Sequence, residues 1–320
     1  MTGAAGFAGS FLVEWYAQRG WRVVGTYRSA PPDTTRARGD VEQVEIDLTD
    51  GRRTRQLVAS VRPQVIHHLA AQSSVSLSWA SPLETLQRNT AMQWNLLEAA
   101  AEGCPDARIV IVGSCDEYGN VLPADNPVNE TCPLKPASPY ALSKVVQDLM
   151  ARQYAETHGL NATRIRPFLQ TGPRRSARFA AGSFARQIAE IAAGLREPIV
   201  SVGSIDLLRD FTDVRDAVRG YGLIAERGVA GEVYNLASGI PHSLRDMLRV
   251  MLQTADVDAQ LVHDPALARE GEAPLLVGDP SKFRAATGWQ PEISFEASAA
   301  DTVIYWLNRT QALLAHEGRS

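Results

Sequence analysis

Cysteine and histidine are scarce in this 320-residue chain, and neither forms a metal-binding pattern. The three cysteines are Cys104, Cys115 and Cys132. An odd number without a CxxC spacing is typical of reduced thiols in a cytosolic protein, and we expect a cytoplasmic location. The six histidines show no zinc-ligand spacing. The sequence therefore predicts neither a disulfide framework nor a metal site.

The chain also lacks an excess of basic residues. It has 32 Lys and Arg against 36 Asp and Glu, a formal net charge of −4. Nucleic acid and anionic membrane surfaces are therefore not expected partners. No apolar run is long enough to span a bilayer, no signal peptide precedes the first helix, and no internal repeat is present. Hydrophobic residues at 45% and charged residues at 21% are ordinary for a soluble globular protein.

The first half of the chain alternates short strand-like runs with longer helical runs. The strand-like runs are residues 21–27, 43–46, 65–69 and 108–112, and the helical runs are residues 7–19, 53–61 and 85–102. This alternation predicts right-handed βαβ units and a parallel sheet. The clearest helix is residues 139–158, with Ser138 as its N-cap and Gly159 just past its end. The predicted fold class is α/β, a Rossmann-type doubly wound sheet.

After residue 171 the pattern becomes irregular. Residues 183–194 are helical, a loop is expected from there to residue 210, and further helices alternate with Pro- and Gly-rich connections. We therefore expect a dinucleotide-binding domain in residues 1–171, to which residues 211–238 return. A smaller mixed α/β substrate domain would comprise residues 172–210 and 239–316.

Three glycines stand at the very start of the chain. Gly3, Gly6 and Gly9 precede a helix in a GxxGxxG spacing, which lets backbone N–H groups approach a pyrophosphate at the helix N-terminus. Taken alone, such glycines often serve only a tight turn. The strand that should precede this turn is missing, because the chain begins at Met1. We expect a few further residues upstream in the native protein.

Two positions bear on the choice of nicotinamide cofactor. Arg28 follows the strand at residues 21–27, where an arginine suits the 2′-phosphate of NADP and an acid would favour NAD. We predict NADP, with NAD as the alternative; Arg28 could also be an ordinary surface arginine. Asp47 and Leu48 follow the next strand, where they could contact the adenine edge, although an Asp there often serves a turn.

Tyr140 and Lys144 are the sharpest chemical signal. Four residues apart on a helix, they share one face. A nearby ammonium favours the tyrosinate and would lower the tyrosine pKa, so that Tyr140 could act as a general acid or base. Such a pair also arises by chance on helix surfaces. Ser114 strengthens the assignment, because it ends the strand at residues 108–112, where its hydroxyl could bind the same reacting oxygen.

These motifs together resemble the extended short-chain dehydrogenase/reductase family over nearly the whole chain. The resemblance rests on the glycine turn, on Ser114, Tyr140 and Lys144, and on the runs at residues 69–72, 89–99 and 166–168. It implies a nicotinamide cofactor held by Gly3, Gly6, Phe7, Gly9, Arg28, Asp47, Leu48, Leu69, Ala70, Tyr140 and Lys144. It also implies a homodimer formed through the helices at residues 85–102 and 139–158, with Met92, Trp94, Met150 and Tyr154 as candidate contacts.

Within the family, the runs at residues 71–75, 209–216, 278–282 and 288–291 look most like the GDP-mannose branch. That branch contains 4,6-dehydratases and 4-keto-6-deoxysugar reductases. Relatives that dehydrate carry a glutamate where this chain has Asp116. Asp is one methylene shorter, and catalysis is sensitive to misplacement on the order of 1 Å, which favours reduction. Glu117 lies next door in a differently directed position, so dehydration stays open, as do 4-epimerisation and a non-catalytic cofactor-sensing role.

The resemblance also suggests how a nucleotide sugar would be held. Arg209 is the candidate for the diphosphate, because guanidinium binds phosphate in a bidentate manner. Glu272 would bind the nucleotide ribose, and Gln72 and Arg269 are further candidates. Leu169 departs from the branch, which often has Asn there, and this leaves the identity of the sugar open. The expected substrate is a GDP-linked sugar.

Overall fold

The computed structural model describes residues 1–29, 41–267 and 273–317. The α-helices are α1 (Phe7–Ala17), α2 (Gly51–Val61), α3 (Val75–Ala80), α4 (Pro82–Gly103), α5 (Pro139–His158), α6 (Ala180–Ala192), α7 (Val214–Arg227), α8 (Leu244–Ala255), α9 (Ser281–Thr287) and α10 (Phe295–Glu317). The strands are β1 (Val23–Tyr27), β2 (Val41–Glu45), β3 (Val65–His68), β4 (Arg108–Val112), β5 (Ala162–Pro167), β6 (Leu169–Thr171), β7 (Ile199–Val202), β8 (Leu208–Asp213), β9 (Val233–Leu236), β10 (Pro241–Ser243), β11 (Gln260–His263) and β12 (Leu275–Leu276).

The main sheet is parallel throughout. Strand β2 pairs with β1, and β3, β4, β5 and β9 follow in that order. Thr2 forms parallel bridges to both Thr26 and His68, so it joins β1 to β3. Its N–H donates to the His67 carbonyl at 2.9 Å. The position that a first strand would take is thus held by Met1 and Thr2, with one bridge to each neighbouring strand.

Helices cover both faces of this sheet, as the doubly wound interpretation predicts. On one face, α1 and α7 contribute Leu12, Tyr16 and Val218 to a core that includes Ile165 of β5. On the other, α2, α4 and α5 pack side chains such as Leu97 against Ile109 and Ile111. Because both faces are covered, all residues of β5 and β9 are buried, as expected for strands of a parallel sheet. The predicted fold class is confirmed.

The second half of the chain builds smaller sheets around β8. Strand β8 pairs with β6, β10 and β12, and β7 pairs separately with β11. A further hydrophobic core joins Phe184 of α6, Met247 of α8 and Val303 of α10 to β7 and β8. The prediction of a loop between residue 194 and residue 210 is wrong, because this segment contains β7 and the start of β8. We retain the two-domain division as a proposal, supported by this separate core.

Three aspartates of the run at residues 209–216 tie distant segments together. Asp210 accepts hydrogen bonds from the backbone N–H groups of Ser238 and Gly239, both at 2.8 Å. Asp213 accepts from the Ser298 hydroxyl at 2.5 Å, and Asp216 accepts from the N–H of Ile293 at 2.8 Å. All three are buried. These three aspartates are therefore structural, because each carboxylate satisfies backbone or hydroxyl donors from a different part of the chain.

None of the described helices combines the length and the apolarity that a bilayer span requires.

Candidate active site

The Ser114, Tyr140 and Lys144 side chains meet at the carboxyl end of β4. Helix α5 begins there because Ser138 caps it, its hydroxyl accepting from the Ala141 N–H at 3.1 Å. The Ser114 hydroxyl lies close enough to the Tyr140 phenol to lower its pKa, in opposition to burial. The Lys144 ammonium donates to the Val112 carbonyl at 2.8 Å. The structure thus brings the predicted trio together, with serine and tyrosine able to bind one oxygen.

The protonation of Tyr140 differs from the sequence-based expectation. Burial raises its pKa above the ordinary value, and the Asp116 carboxylate adds to this effect, while the Ser114 hydrogen bond opposes it. Burial lowers the pKa of Lys144 to about 8. The expected lowering of the tyrosine pKa by Lys144 is therefore outweighed, because the ring lies in a desolvated position. At neutral pH the phenol is protonated, which suits a proton donor.

The glycine turn is shaped for a close approach to a ligand. Gly3 has a φ of +71°, and a Cβ there would lie 2.8 Å from the Ala70 nitrogen. A Cβ on Gly9 would collide with the Gly3 carbonyl. Helix α1 starts from Gly6 without a side-chain cap, so its first N–H groups point to the turn unsatisfied by side chains. Such a helix N-terminus fits a pyrophosphate.

The other predicted cofactor residues line the same edge of the sheet. Arg28 is exposed directly after β1. Leu69 and Ala70 follow β3, and the Ala70 N–H donates to the Thr2 hydroxyl at 3.3 Å. Asp47 accepts from the Thr49 hydroxyl at 2.8 Å and from Arg88 at 2.9 Å, while Leu48 is buried in a small core. Asp47 therefore has a turn-stabilising function of its own.

Arg175 is a site residue that the sequence analysis missed. Its guanidinium lies 4.8 Å from the centre of the Phe7 ring and 3.8 Å from that of Phe179. Arg175 and Tyr140 interact electrostatically, so the guanidinium lies near the Tyr140 phenol. The preceding Arg174 holds this loop against α1 through a bidentate pair with Glu14, at 2.7 and 3.2 Å. The feature of the sequence that could have identified Arg175 is the pair of arginines directly after Gly172 and Pro173.

The two acids after Ser114 have different surroundings. Glu117 is fully buried, and its carboxylate accepts from the Ser114 N–H at 2.8 Å and from Arg166 at 3.0 Å. Asp116 is only partly buried and acts electrostatically on Tyr140. Glu117 is thus directed into the protein, whereas Asp116 is the acid on the side of the reacting groups.

The predicted substrate residues are only partly brought to this site. Burial raises the pKa of the Cys115 thiol and Arg209 opposes this increase, so Arg209 faces the turn that follows Ser114. The Gln72 amide is directed back to its own segment, donating to the Ser74 carbonyl and to the Thr85 hydroxyl, both at 3.1 Å. Arg269 and Glu272 lie outside the described residues.

Comparisons with known proteins identify the family of this chain. The family model for GDP-mannose 4,6 dehydratase matches residues 1–302. A GDP-6-deoxy-D-mannose reductase from Pseudomonas aeruginosa is 34% identical over 249 residues, covering 78% of this chain and 82% of the relative. A GDP-mannose 4,6-dehydratase from Vibrio cholerae is 29% identical, covering 99% of this chain and 96% of the relative.

Solved structures give the same result. RMD from Pseudomonas aeruginosa, complexed with NADPH, superposes with a TM-score of 0.83 at 30% identity and covers 96% of this chain and 97% of that one. A UDP-glucose 4-epimerase from Thermotoga maritima, with UDP-glucose, has a TM-score of 0.86 at 26% identity and covers 97% and 98%. The chain belongs to the GDP-mannose 4,6-dehydratase family, whose members are Rossmann-type nucleotide-sugar oxidoreductases.

Proposed function

We propose that this protein reduces the 4-keto group of a GDP-linked 6-deoxy sugar, using NADPH. The specific reaction would convert GDP-4-dehydro-6-deoxy-D-mannose to GDP-D-rhamnose. The Pseudomonas reductase, at 34% identity, supports this choice within the family. A dehydratase would instead act on GDP-mannose and return its cofactor unchanged.

The observation that carries the proposal is the position of Glu117. Dehydration requires a carboxylate base that removes the C5 proton and an acid that protonates the departing C6 hydroxyl. The Glu117 carboxylate accepts hydrogen bonds from Arg166 and from the Ser114 N–H inside the protein. It is therefore directed away from both of these proton transfers. Asp116 remains, and its shorter side chain reaches less far than the glutamate of dehydratases. Reduction needs neither acid.

Tyr140 would act as the proton donor in this reaction. NADPH, when bound, supplies the hydride that the carbonyl carbon receives. The Tyr140 phenol donates its proton to the oxygen on which negative charge develops, and Ser114 donates a hydrogen bond to the same oxygen. Because its pKa is raised, Tyr140 keeps its proton until negative charge develops on the carbonyl oxygen. Lys144 stabilises the tyrosinate that is left behind.

The residues present fit the nicotinamide cofactor. The turn of Gly3, Gly6 and Gly9 would hold its pyrophosphate, because this turn is too tight for a Cβ at Gly3 or Gly9 and leads directly into the N-terminus of α1. Arg28 would bind the 2′-phosphate of NADP. Arg175 faces Tyr140 and the start of α1, where its positive charge would attract an anionic group. Arg209 would bind the diphosphate of the sugar nucleotide.

The direct test is to mix the protein with GDP-4-dehydro-6-deoxy-D-mannose and NADPH and to follow the absorbance of the reduced nicotinamide. We expect a loss of absorbance equal to the amount of 4-hydroxy product formed. GDP-mannose with NADP⁺ should give no 4-keto product. Formation of that product without net cofactor consumption would instead identify a 4,6-dehydratase.

Arg28 should determine the preference for NADPH over NADH. Arg28→Ala is expected to raise KM for NADPH about 10-fold, because it removes a charge-assisted bond to the 2′-phosphate. KM for NADH should change less than about 2-fold, since NADH lacks that phosphate. Arg22→Ala is the matched control, an exposed arginine just before the same strand. Equal effects of Arg28→Ala on both cofactors would contradict the assignment.

A homodimer through α4 and α5 is also part of the proposal. Three of the four candidate contacts, Met92, Met150 and Tyr154, are buried in the protein's own core, while Trp94 is 50% exposed. Leu149 of α5 is 51% exposed. We expect Leu149→Arg to convert a dimer to a monomer in light scattering after size exclusion, because a charge would be buried without a partner. Leu195, which follows α6 and is 57% exposed, is the control: Leu195→Arg should remain dimeric.

A further inference from the structure

Glu117 has an environment that its neighbours in the sequence do not explain. It lies in the 3₁₀ turn Cys115–Tyr118, directly after Ser114, yet its side chain has no exposed surface. The carboxylate points back under the turn, where Oε1 accepts from the Ser114 N–H at 2.8 Å. A carboxylate is buried only where it is paired and hydrogen-bonded. The question is therefore what this buried charge does beneath the catalytic serine.

The protein contains a space that is fitted to this carboxylate. Gly113 ends the approach to the turn, and a Cβ at that position would collide with Glu117 Oε1. Because Ser114 also caps the 3₁₀ turn through its own hydroxyl, the two residues hold each other in a capping box. The Ser114 backbone is thus fixed from below by Glu117, and its hydroxyl is left beside the Tyr140 phenol.

The other oxygen of Glu117 belongs to a buried cluster of charges. Arg166 Nε donates both to Glu117 Oε2 at 3.0 Å and to Asp148 Oδ2 at 3.1 Å. Arg164 completes the cluster by donating to Asp148 at 2.5 Å. Asp148 contacts only the two arginines in this cluster, whereas Glu117 connects the cluster to Ser114. The two carboxylates therefore share a partner but differ in what they touch beyond it.

Glu117 also acts on the Tyr140–Lys144 pair. Burial lowers the pKa of Lys144, and Glu117 opposes this effect by favouring the ammonium. The groups that face Glu117 are Asp148 and Lys144 of α5, Arg166 of β5 and Asp116 of its own turn. Burial and the Asp148 charge raise the pKa of Glu117 to about 8, and Arg166 counteracts them. Glu117 is thus electrostatically coupled to the lysine of the catalytic pair.

We propose that Glu117 is a positioning residue, which fixes Ser114 against Tyr140 through the Ser114 N–H. This role rests on the proposed 4-keto reduction, which Ser114, Tyr140 and Lys144 would carry out. Glu117 never touches the substrate in this scheme. It acts by holding the hydroxyl that binds the reacting oxygen, and preorganised donors of that kind contribute strongly to catalysis.

The test compares Glu117→Gln with Asp148→Asn. Glutamine keeps the length of the side chain but presents one amide NH₂ to two donors, so it loses the bond to Ser114 or the bond to Arg166. We expect Glu117→Gln to lower kcat at least about 10-fold, with KM changed less than about 2-fold. The alkaline limb of its kcat profile should move to lower pH, because Lys144 loses the negative charge that favours the ammonium.

Asp148→Asn removes a carboxylate from the same cluster without a contact to Ser114. It should lower the melting temperature as Glu117→Gln does, but keep kcat within about 3-fold and leave the alkaline limb in place. Equal losses of kcat in the two variants would overturn the proposal, because Glu117 would then act only through stability. An unshifted pH profile with normal kcat in Glu117→Gln would overturn it as well.

A readout without turnover separates this inference from the proposed function. Hydrogen exchange of the Ser114 amide, followed by NMR after labelling of serine, reports directly on the bond to Glu117. We expect the amide to be protected in the native protein and in Asp148→Asn, and to exchange faster in Glu117→Ala. If the native protein does not reduce the 4-keto sugar while this pattern holds, the reaction is wrong and the positioning of Ser114 stands. Fast exchange in the native protein would overturn the positioning itself.

Discussion

Tyr140→Phe should lower kcat for 4-keto reduction at least about 100-fold, the scale of a general-acid contribution. The phenol lies beside the Ser114 hydroxyl, and its raised pKa keeps it protonated at neutral pH. Phenylalanine keeps the ring packing and removes only the hydroxyl that carries the proton. Steady-state oxidation of NADPH measures the effect, and KM for the sugar nucleotide should change little, since the lost interaction forms in the transition state.

The control for this substitution is Tyr305→Phe. Tyr305 lies on α10, where it contacts Trp306 and its hydroxyl accepts from Arg309. Tyr305→Phe removes the same hydroxyl as Tyr140→Phe, but at a position without a connection to Ser114 or Lys144. The kcat of Tyr305→Phe should therefore stay within about 2-fold of the native value. Tyr140→Phe should still bind NADPH, as measured by the quenching of protein fluorescence. A near-normal kcat in Tyr140→Phe would remove Tyr140 from the role of proton donor.

The sequence was most informative where local signals and burial agree. Helix α5 has the predicted bounds, because Ser138 caps its start and Gly159 takes the left-handed conformation at its end. Strand β4 also matches, since a run that is buried on both faces must be apolar throughout. The carboxyl ends of parallel strands lie at one edge, so Ser114 after β4 could be expected to meet Tyr140 and Lys144.

The failures of prediction have a tertiary origin. Strands β7 and β8 fall where the sequence predicts a loop, because their stability comes from pairing with β11, β10 and β12, partners 30 or more residues away in the chain. The protonation of Tyr140 could not be inferred from its spacing to Lys144. Spacing places two residues on one face of a helix, whereas desolvation depends on everything that packs over them.

Glu117 shows the same limit within the site itself. In the sequence it is a second acid beside Asp116 and leaves dehydration open. Only the fold reveals that Gly113 makes room for its carboxylate and that Arg166, on β5, pairs with it. The signal in the sequence was a charged residue inside a turn close to a buried strand, which gives no direction for the side chain.

Two buried histidines should make the protein sensitive to acid. His67 and His68 lie on β3, at the centre of the main sheet. His67 Nε2 is hydrogen-bonded to the Tyr16 hydroxyl at 2.7 Å and His68 Nδ1 to the Thr2 hydroxyl at 2.8 Å. Burial lowers the pKa of each to about 3. In the unfolded chain a histidine titrates near 6.5, so below that pH the unfolded state binds more protons and is favoured.

The free energy of unfolding should therefore fall on acidification by about 1.4 kcal/mol per pH unit for each histidine below pH ~6.5, or about 2 kcal/mol each at pH 5. Glu117 acts in the opposite sense, because burial and the Asp148 charge raise its pKa. Comparing the native protein with His67→Gln cancels the Glu117 contribution, since both carry it. Glutamine can still bond to Tyr16 but does not titrate.

We expect His67→Gln to be less stable than the native protein at pH 7.5, and the difference to shrink by about 2 kcal/mol at pH 5, as measured by urea denaturation. His263→Gln is the control, since His263 is exposed on β11 and solvent surrounds it in the folded and unfolded chain alike. If the difference in free energy of unfolding between the native protein and His67→Gln stays constant from pH 7.5 to pH 5, His67 is protonated in the folded protein. Leu69 and Ala70 follow β3 and pack against the glycine turn, so acid should weaken that turn together with the sheet.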